Sequence, residues 1–234
     1  MSERCWAVVP AAGVGRRMGG EVPKQYLELR GRKVIDHSLQ RLLDHPRIEA
    51  AYVALAETDE WWASTEHASD RRVIRVTGGE ERCHSVLNAL RALAAFAAAD
   101  DWVLVHDAAR PCLCATDLDL LIRRLKDHPV GGLLGIPVQD TLKRVSADGA
   151  VEATVPRRDL WQAYTPQMFR LGLLTEALEQ ALARGELVTD DASAMELAGH
   201  RPLMVEGHAG NIKITRPADL ALAAFYLSLH QPGS

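Results

Sequence analysis

Several features that would narrow the function quickly are missing from this chain of 234 residues. No run of about 18 apolar residues occurs, so no membrane-spanning helix is predicted. The N-terminus lacks the basic segment, apolar core and cleavage site of a signal peptide. The net charge is −4, which provides no overall basic field for nucleic acid. These absences predict a cytoplasmic protein with neither a membrane nor a nucleic acid as its partner.

Cysteine is also scarce, with four residues and no C-x-x-C pair. Cys112 and Cys114 lie near His106 in sequence, but two thiols and one histidine fall short of the spacing of zinc sites. We therefore expect free, buried or partly buried thiols in a reducing compartment.

The richest functional signal is the segment 8–27, which reads V-V-P-A-A-G-V-G-R-R-M-G-G-E-V-P-K-Q-Y-L. An apolar strand leads into a loop with glycines at 13, 15, 19 and 20 and with three cations, Arg16, Arg17 and Lys24. Glycine lets a ligand approach the backbone closely, and the free amides of such a turn bind anions. Guanidinium and ammonium groups bind phosphate oxygens. The loop therefore predicts a polyphosphate site, and the alternative is a flexible connection that happens to be basic.

The two common phosphate-binding motifs do not fit this loop. A P-loop has Ser or Thr directly after its lysine, whereas Gln25 follows Lys24. The dinucleotide fingerprint needs glycine where Met18 stands. Asp36 lies where that fingerprint has an acid, but the apolar residues around it have helical spacing, which predicts an exposed helix residue.

Short apolar runs alternate with helical patterns, which predicts an α/β fold with a mainly parallel sheet and helices on both faces. The predicted strands are 5–10, 48–55, 72–76, 102–106, 131–138 and 202–206. The predicted helices are 34–44, 80–98, 116–127, 170–184, 190–199 and 217–229. The glycine loop and Asp107 each follow a strand, so we expect both at one edge of the sheet, in a single domain over 1–234.

Residues 139–160 interrupt the alternation. Asp148 and Gly149 lie between two short segments of extended pattern, a β-hairpin signal over 141–155. Its strands carry few apolar residues, and an isolated hairpin is marginal in water. We therefore expect this subelement to pack on a second subunit in a homodimer.

Further sequence blocks follow the glycine loop in a fixed order. They are G-G-E-E-R-C-H-S-V (78–86), V-H-D-A-A-R-P (105–111), P-V-Q-D-T-L-K-R (137–144), T-P-Q (165–167), T-D-D-A-S-A (189–194) and V-E-G-H-A-G-N-I-K-I-T (205–215). With P-A-A-G-V-G-R-R-M and P-K-Q, the chain resembles the cytidylyltransferases that act on 2-C-methyl-D-erythritol 4-phosphate in the non-mevalonate isoprenoid pathway. The resemblance implies a Rossmann-like nucleotidyltransferase sheet with a protruding β-arm at 139–160 for dimerisation. It also implies attack of the substrate phosphate on the α-phosphate of CTP, with release of pyrophosphate.

The resemblance also implies roles for individual residues. Arg17 and Lys24 would stabilise the transition state, and Arg157 and Lys213 would hold the methylerythritol phosphate for attack. The implied nucleotide-binding residues are Ala11, Ala12, Gly13, Gly15, Gly79, Glu80, Arg82 and Ser85. The implied substrate-binding residues are Asp107, Arg110, Thr141, Arg157, Thr165, Thr189 and Lys213. Two positions depart from the family pattern: Glu80 stands where aspartate is as common, and Gly210 stands where an acid often precedes N-I-K.

Metal binding has two candidates in the sequence. A carboxylate at a strand end, such as Asp107, can hold Mg²⁺ or a sugar hydroxyl, and the CTP phosphates would supply the other metal ligands. Asp117 and Asp119 resemble the D-x-D of metal-dependent glycosyltransferases, but they begin a helix, where acids favour the positive dipole end. We predict a structural role for that pair.

Three other functions remain open at this point. One is a cytidylyltransferase for another polyol phosphate, such as ribitol 5-phosphate. The second is a metal-dependent glycosyltransferase, which would not need two pyrophosphate-binding cations on its first loop. The third is a nucleotide-binding module without catalysis.

Overall fold

The computed structural model describes residues 4–13 and 22–229. The strands are β1 (Cys5–Pro10), β2 (Glu28–Leu29), β3 (Arg32–Lys33), β4 (Ile48–Leu55), β5 (Val73–Thr77), β6 (Trp102–Val105), β7 (Gly131–Pro137), β8 (Leu142–Val145), β9 (Val151–Val155), β10 (Trp161–Arg170) and β11 (Leu203–Glu206). The helices are α1 (Val34–Leu43), α2 (Arg82–Leu93), α3 (Ala115–Leu125), α4 (Leu171–Ala183), α5 (Asp191–Leu197) and α6 (Pro217–Leu229).

The central sheet has seven strands in the order β11–β7–β10–β6–β1–β4–β5. The pairs β1–β4, β1–β6, β4–β5 and β7–β11 are parallel, and β10 runs antiparallel to both β6 and β7. The predicted α/β fold with a mainly parallel sheet is therefore confirmed. Because β1 and β6 are parallel neighbours, the segments that follow them emerge at the same edge.

Helices bury both faces of this sheet. Along β1, Ala7 and Val9 pack with Leu39 of α1 and Leu121 of α3, whereas Val8 faces α2 and α4 on the other side. A strand that is apolar on both faces is typical of a parallel sheet covered by two helical layers. This double burial fixes the ends of β1 and β6 and so the loops that leave them.

The structure contains one strand that was not predicted, and it buries a residue that was predicted to be exposed. Strand β10 was not predicted, because Pro166 lies inside it and proline is unusual in a central strand. The pairing of β10 with β7 shifts register between Ala163 and Gln167, which accommodates the proline.

The prediction that Asp36 is an exposed helix residue was wrong. Asp36 is only 1% exposed, since its carboxylate accepts hydrogen bonds from the backbone amides of Lys33 and Glu66.

Strands β8 and β9 pair with each other in the segment where the hairpin was predicted. Gly149 in the turn has φ of +88°, a conformation that glycine adopts without strain. Leu142, Val145 and Val151 expose 37%, 54% and 63% of their surface. The hairpin's part in a dimer and the assignment of one domain to the whole chain stay predictions.

The four cysteines are free and buried, as expected from the sequence. None of the helices within residues 4–13 and 22–229 combines the length and apolar character that crossing a bilayer requires.

Candidate functional site

Two pockets share a wall at the edge of the sheet where β1 and β6 end. The first pocket has a volume of about 300 Å³ and is lined by Pro10, Ala11, Ala12, Gly13, Lys24, Gln25, Gly79, Glu80, Glu81, Arg82, Ser85, Asp107, Ala108, Ala109 and Lys213. The second pocket has a volume of about 230 Å³ and is lined by Arg82, Asp107, Arg110, Ala163, Tyr164, Thr165, Gln167, Thr189, Asp190 and Lys213. Arg82, Asp107 and Lys213 line both pockets and form the wall between them.

Size alone does not mark this site. A cavity of about 450 Å³ lies near the start of β6, around Ala99, His128 and Gly172. It is remote from the sequence blocks described above. The two smaller pockets are lined by residues of all of these blocks except 137–144, which is why we take the smaller pair as the functional site.

The start of the glycine loop is held by Gln25. Its side-chain amide donates to the carbonyl oxygens of Ala11, at 2.8 Å, and Gly13, at 3.1 Å. The neighbouring Tyr26 donates its hydroxyl to a carboxylate oxygen of Asp59 at 2.7 Å. The short turn that carries Lys24 is thus fixed on both sides. Sequence reasoning missed Gln25, although it stands in the P-K-Q block.

The far side of the first pocket is the loop before α2. The hydroxyl oxygen of Ser85 accepts from the backbone amide of Gly79 at 3.0 Å. A Cβ atom on Gly79 would lie 2.4 Å from the Cβ of His84, and one on Gly78 would lie 2.5 Å from the Cβ of Ala12. Both glycines are therefore required by close approach.

Asp107 is the centre of the shared wall. Its carboxylate lies 2.8 Å from the Nζ of Lys213, 3.2 Å from the Nε of Arg82 and 3.4 Å from the Nε of Arg110. Burial would raise the pKa of Asp107, but the three cations outweigh that effect and hold the pKa well below its usual range. The group is therefore an anion that organises the cations around it.

Arg82 has a second anionic partner in Asp191. Its Nη1 and Nη2 donate to the two carboxylate oxygens of Asp191 at 3.2 and 2.8 Å. Burial opposes the charge of Arg82, but Asp191 and Asp107 raise its pKa further above its usual value. Such bidentate pairs fix the plane of a guanidinium group.

His106 holds Asp107 and Arg110 in place through hydrogen bonds, the first by way of Thr165. The backbone amide of Asp107 donates to the Thr165 hydroxyl, and that hydroxyl lies 3.0 Å from the Nδ1 of His106. The Nε2 of His106 lies 3.0 Å from the carbonyl oxygen of Arg110, which can only accept, so Nε2 carries the proton. Burial lowers the pKa of His106 to about 4. The ring is thus neutral, and it fixes both Asp107 and Arg110.

Two further contacts join separate sequence blocks. Arg110 donates from Nη1 to the carbonyl oxygen of Asn211 at 2.7 Å, and Asn211 donates from Nδ2 to the carbonyl oxygen of Thr165 at 2.8 Å. Gln167 donates to the Asp190 carboxylate at 2.8 Å and accepts from the Ala192 amide at 2.7 Å. Gln167 and Asn211 were missed by sequence reasoning, although both lie inside the T-P-Q and N-I-K blocks.

The remaining predicted site residues fall into three groups. Thr165 and Thr189 line the second pocket, with Thr165 buried and Thr189 exposed. Thr141 and Arg157 are exposed at the two ends of the hairpin and belong to neither lining, and Arg157 donates to the carbonyl oxygen of Gln139. Gly15 and Arg17 lie outside the described residues.

Asp107 fits a metal ion only in part. No cluster of three or more His, Cys, Asp or Glu side chains suited to a metal occurs in the part of the chain that the structure describes. Mg²⁺ often binds through one or two carboxylates together with substrate phosphates, but both oxygens of Asp107 already pair with cations, so a metal contact there would compete with Arg82, Arg110 or Lys213. Asp117 and Asp119 are engaged elsewhere: Asp117 accepts from the backbone amide of His208, and Asp119 pairs with His45.

Comparisons with known proteins identify the family of this chain. The family described as 2-C-methyl-D-erythritol 4-phosphate cytidylyltransferase matches residues 5–229. Proteins of that name from Pseudomonas entomophila (strain L48) and Hahella chejuensis (strain KCTC 2396) are 56% and 54% identical over 216 and 224 residues. The first match covers 92% of both chains, and the second covers 96% of this chain and 93% of its relative. The crystal structure of the enzyme of that name from Francisella tularensis has a TM-score of 0.84 and 35% identity, covering 95% of this chain and 99% of the other. The chain therefore belongs to the family of 2-C-methyl-D-erythritol 4-phosphate cytidylyltransferases.

Proposed function

We propose that this protein transfers the cytidylyl group of CTP to 2-C-methyl-D-erythritol 4-phosphate. A phosphate oxygen of the methylerythritol phosphate attacks the α-phosphorus of CTP in line with the leaving group. The bond from the α-phosphorus to the oxygen that bridges to the β-phosphate breaks, and pyrophosphate leaves with that electron pair. The products are 4-diphosphocytidyl-2-C-methyl-D-erythritol and pyrophosphate. The observation that carries this proposal is the pair of pockets that share the wall of Arg82, Asp107 and Lys213.

The first pocket suits the nucleotide. Its walls near Ala11, Ala12 and Gly79 are backbone and small side chains, and the close contacts of Gly78 and Gly79 leave room for a small base. Backbone carbonyl groups there are suited to accept from the amino group of cytosine. A site that pairs a polar group of one base rejects a base lacking it more strongly than size alone would. CTP is therefore the expected nucleotide, ahead of UTP and purine triphosphates.

The second pocket suits the polyol phosphate. Arg110 supplies a fixed guanidinium, whose Nη1 donates to the carbonyl oxygen of Asn211 and whose Cζ lies 4.6 Å from the centre of the Tyr164 ring. Thr189, which is exposed, adds a hydroxyl group to the lining of this pocket. Because Lys213 lines both pockets, its ammonium group is suited to bring the attacking phosphate toward the nucleotide.

Charge compensation is the main chemical task of this site. Two unit charges 4 Å apart repel by about 4 kcal/mol at an effective dielectric constant near 20. Phosphoryl transfer needs positioning and cations rather than a nucleophilic side chain. Lys24 and Arg82 in the first pocket and Lys213 in the wall supply such cations, and we assign Arg17 to the same task on the family resemblance. A divalent cation such as Mg²⁺, held by the CTP phosphates and by Asp107, would neutralise further phosphate charge.

We also propose that the protein acts as a homodimer through the β-arm at 139–160. The hairpin exposes Leu142, Val145 and Val151, and a second copy would cover them. Thr141 and Arg157 would then reach the second pocket of the partner subunit, since neither lines a pocket of its own chain. A cytoplasmic location agrees with four free, buried thiols.

The test is pyrophosphate release from CTP with each acceptor in turn. We expect release with 2-C-methyl-D-erythritol 4-phosphate, little with ribitol 5-phosphate, and poor activity when ATP or UTP replaces CTP. Faster release with ribitol 5-phosphate would transfer the assignment to another polyol phosphate. Binding of CTP without pyrophosphate release in the presence of either acceptor would make the protein a non-catalytic nucleotide-binding module.

A further inference from the structure

Asp191 belongs to neither pocket, yet it determines the orientation of a residue that lines both. It is the first residue of α5, its solvent exposure is 0%, and both of its carboxylate oxygens accept from Arg82. The third donor of that guanidinium group, Nε, points to Asp107 at 3.2 Å. A row of alternating charges therefore runs from Asp191 through Arg82 and Asp107 to Lys213.

We propose that Asp191 is a positioning residue for cytidylyl transfer, an inference that rests on the proposed function. It accepts from Nη1 and Nη2 of Arg82 and so fixes the plane of the guanidinium group. The remaining nitrogen, Nε, is thereby directed at the Asp107 carboxylate. Asp107 in turn fixes the ammonium group of Lys213, which lies 2.8 Å away in the wall between the pockets. Asp191 thus fixes the positions of the three wall residues, Arg82, Asp107 and Lys213, along which both substrates are aligned.

The anchor at Asp191 is itself rigid. Gln167, whose side chain is buried in the sheet, accepts from the backbone amide of Ala192 and donates to Asp190. Asp190 also caps α5 by accepting from the amide of Ser193 at 3.0 Å. The start of α5 is therefore tied to β10, and Asp191 cannot follow Arg82 if that side chain moves.

Without the carboxylate of Asp191, Nη1 and Nη2 of Arg82 would lose their charged partner. The Arg82 side chain is 23% exposed, so it would have room to turn toward solvent or toward a bound phosphate. Its remaining contact with Asp107 is a single hydrogen bond. We therefore expect Asp191→Asn to lower kcat/KM for both substrates by about 10-fold to 100-fold, since a charge-assisted bidentate contact is lost. The fall should appear mainly in kcat, because alignment counts most in the transition state.

A matched control separates positioning from stability. Asp117→Asn also removes a buried carboxylate from the first turn of a helix, where Asp117 accepts from the backbone amide of His208. Asp117 contacts none of the wall residues. We expect Asp117→Asn to lower the melting temperature while leaving kcat within about twofold, so that a large fall in kcat for Asp191→Asn would not be explained by destabilisation alone.

The decisive measurement is a double-mutant cycle with Arg82→Gln. If Asp191 acts through Arg82, adding Asp191→Asn to Arg82→Gln changes kcat/KM by less than about twofold. Arg82→Gln alone leaves the buried Asp191 carboxylate without its cation, whereas the double variant contains neither charge, so every variant is assayed below the melting temperature of the least stable one. A further large loss in the Arg82→Gln background, or full activity of a folded Asp191→Asn variant, would overturn the inference.

Failure of the proposed function gives a different result. It would appear as no pyrophosphate release by the unsubstituted chain. The same cycle is then followed by calorimetric titration with CTP, where Asp191→Asn should weaken binding by only a few-fold, less than the fall expected in kcat, and should have no further effect beside Arg82→Gln. An additional loss of CTP affinity in that background would refute the role of Asp191 independently of turnover.

Discussion

The buried imidazole of His106 makes stability depend on pH in a window of its own. Its pKa is lowered from the ordinary 6.5 to about 4, mainly because burial disfavours the charged ring. The unfolded chain therefore binds a proton at His106 more readily than the folded chain. The stabilisation is complete above about pH 6.5 and is lost as the pH falls from 6.5 toward 4.

The size of the effect follows from the two pKa values. A pKa difference of this size corresponds to about 3 kcal/mol in the free energy of unfolding. Between about pH 7.5 and pH 5, about 2 kcal/mol of it should be lost. Asp107 contributes in a separate window, because its lowered pKa stabilises the fold above the unfolded value of 3.8 and that stabilisation is lost only as the pH falls below it. The two contributions can thus be separated on the pH axis.

The assay is urea unfolding at a series of pH values for the parent chain and for His106→Gln. Glutamine keeps a donor and an acceptor but does not titrate, so the variant removes the contribution of His106 and leaves that of other groups, His37 among them. We expect the parent to lose about 2 kcal/mol more than the variant between pH 7.5 and pH 5. Parallel pH dependences for the two chains would show that the ring is accessible to protons in the fold, contrary to our reasoning.

Three further perturbations test other parts of the site. Gln25→Leu should raise the KM for CTP about 10-fold, because two carbonyl groups at the start of the glycine loop lose their donor; an unchanged KM would contradict that role. Gly79→Ala should weaken CTP binding by at least about 10-fold in a calorimetric titration, because the new Cβ would meet His84 at 2.4 Å, and parental affinity would show that the loop yields easily. Lys24→Ala and Arg157→Ala chains, each inactive alone, should regain activity when mixed if Arg157 acts across the interface. In the heterodimer, the site of the Arg157→Ala chain keeps its own Lys24 and receives Arg157 from the other chain. No recovery would assign Arg157 to the site of its own chain.

The sequence predicted most of the fold because the central strands are apolar on both faces. Strand β10 was missed because the proline at 166 breaks the pattern that marks a strand, and the pairing with β7 shifts register across that proline, between Ala163 and Gln167. The boundaries of α2 were also too wide, since residues 80 and 81 belong to the pocket loop and the helix ends at Leu93.

The candidate site was predicted as far as local motifs extend. The loop residues of the first pocket and the wall residues Asp107 and Lys213 came from short sequence blocks, and the structure brings them together. The supporting residues Gln25, Gln167 and Asp191 could not be predicted, because their role comes from partners 12 to 109 positions away in the chain. A polar side chain without a local partner looks like any surface residue until the fold supplies one.

The burial of every thiol has a practical consequence for testing the proposed dimer. Burial raises the pKa of Cys112 to about 12 and that of Cys114 to about 11, so neither is a thiolate at neutral pH. Cys5 and Cys83 are closed off inside the core in the same way. We therefore expect the native chain to react little with maleimide or methanethiosulfonate reagents. One cysteine placed at the exposed Ala147 in the hairpin turn would be the single labelled position, and a spin label there would report the distance between two copies of the arm in solution.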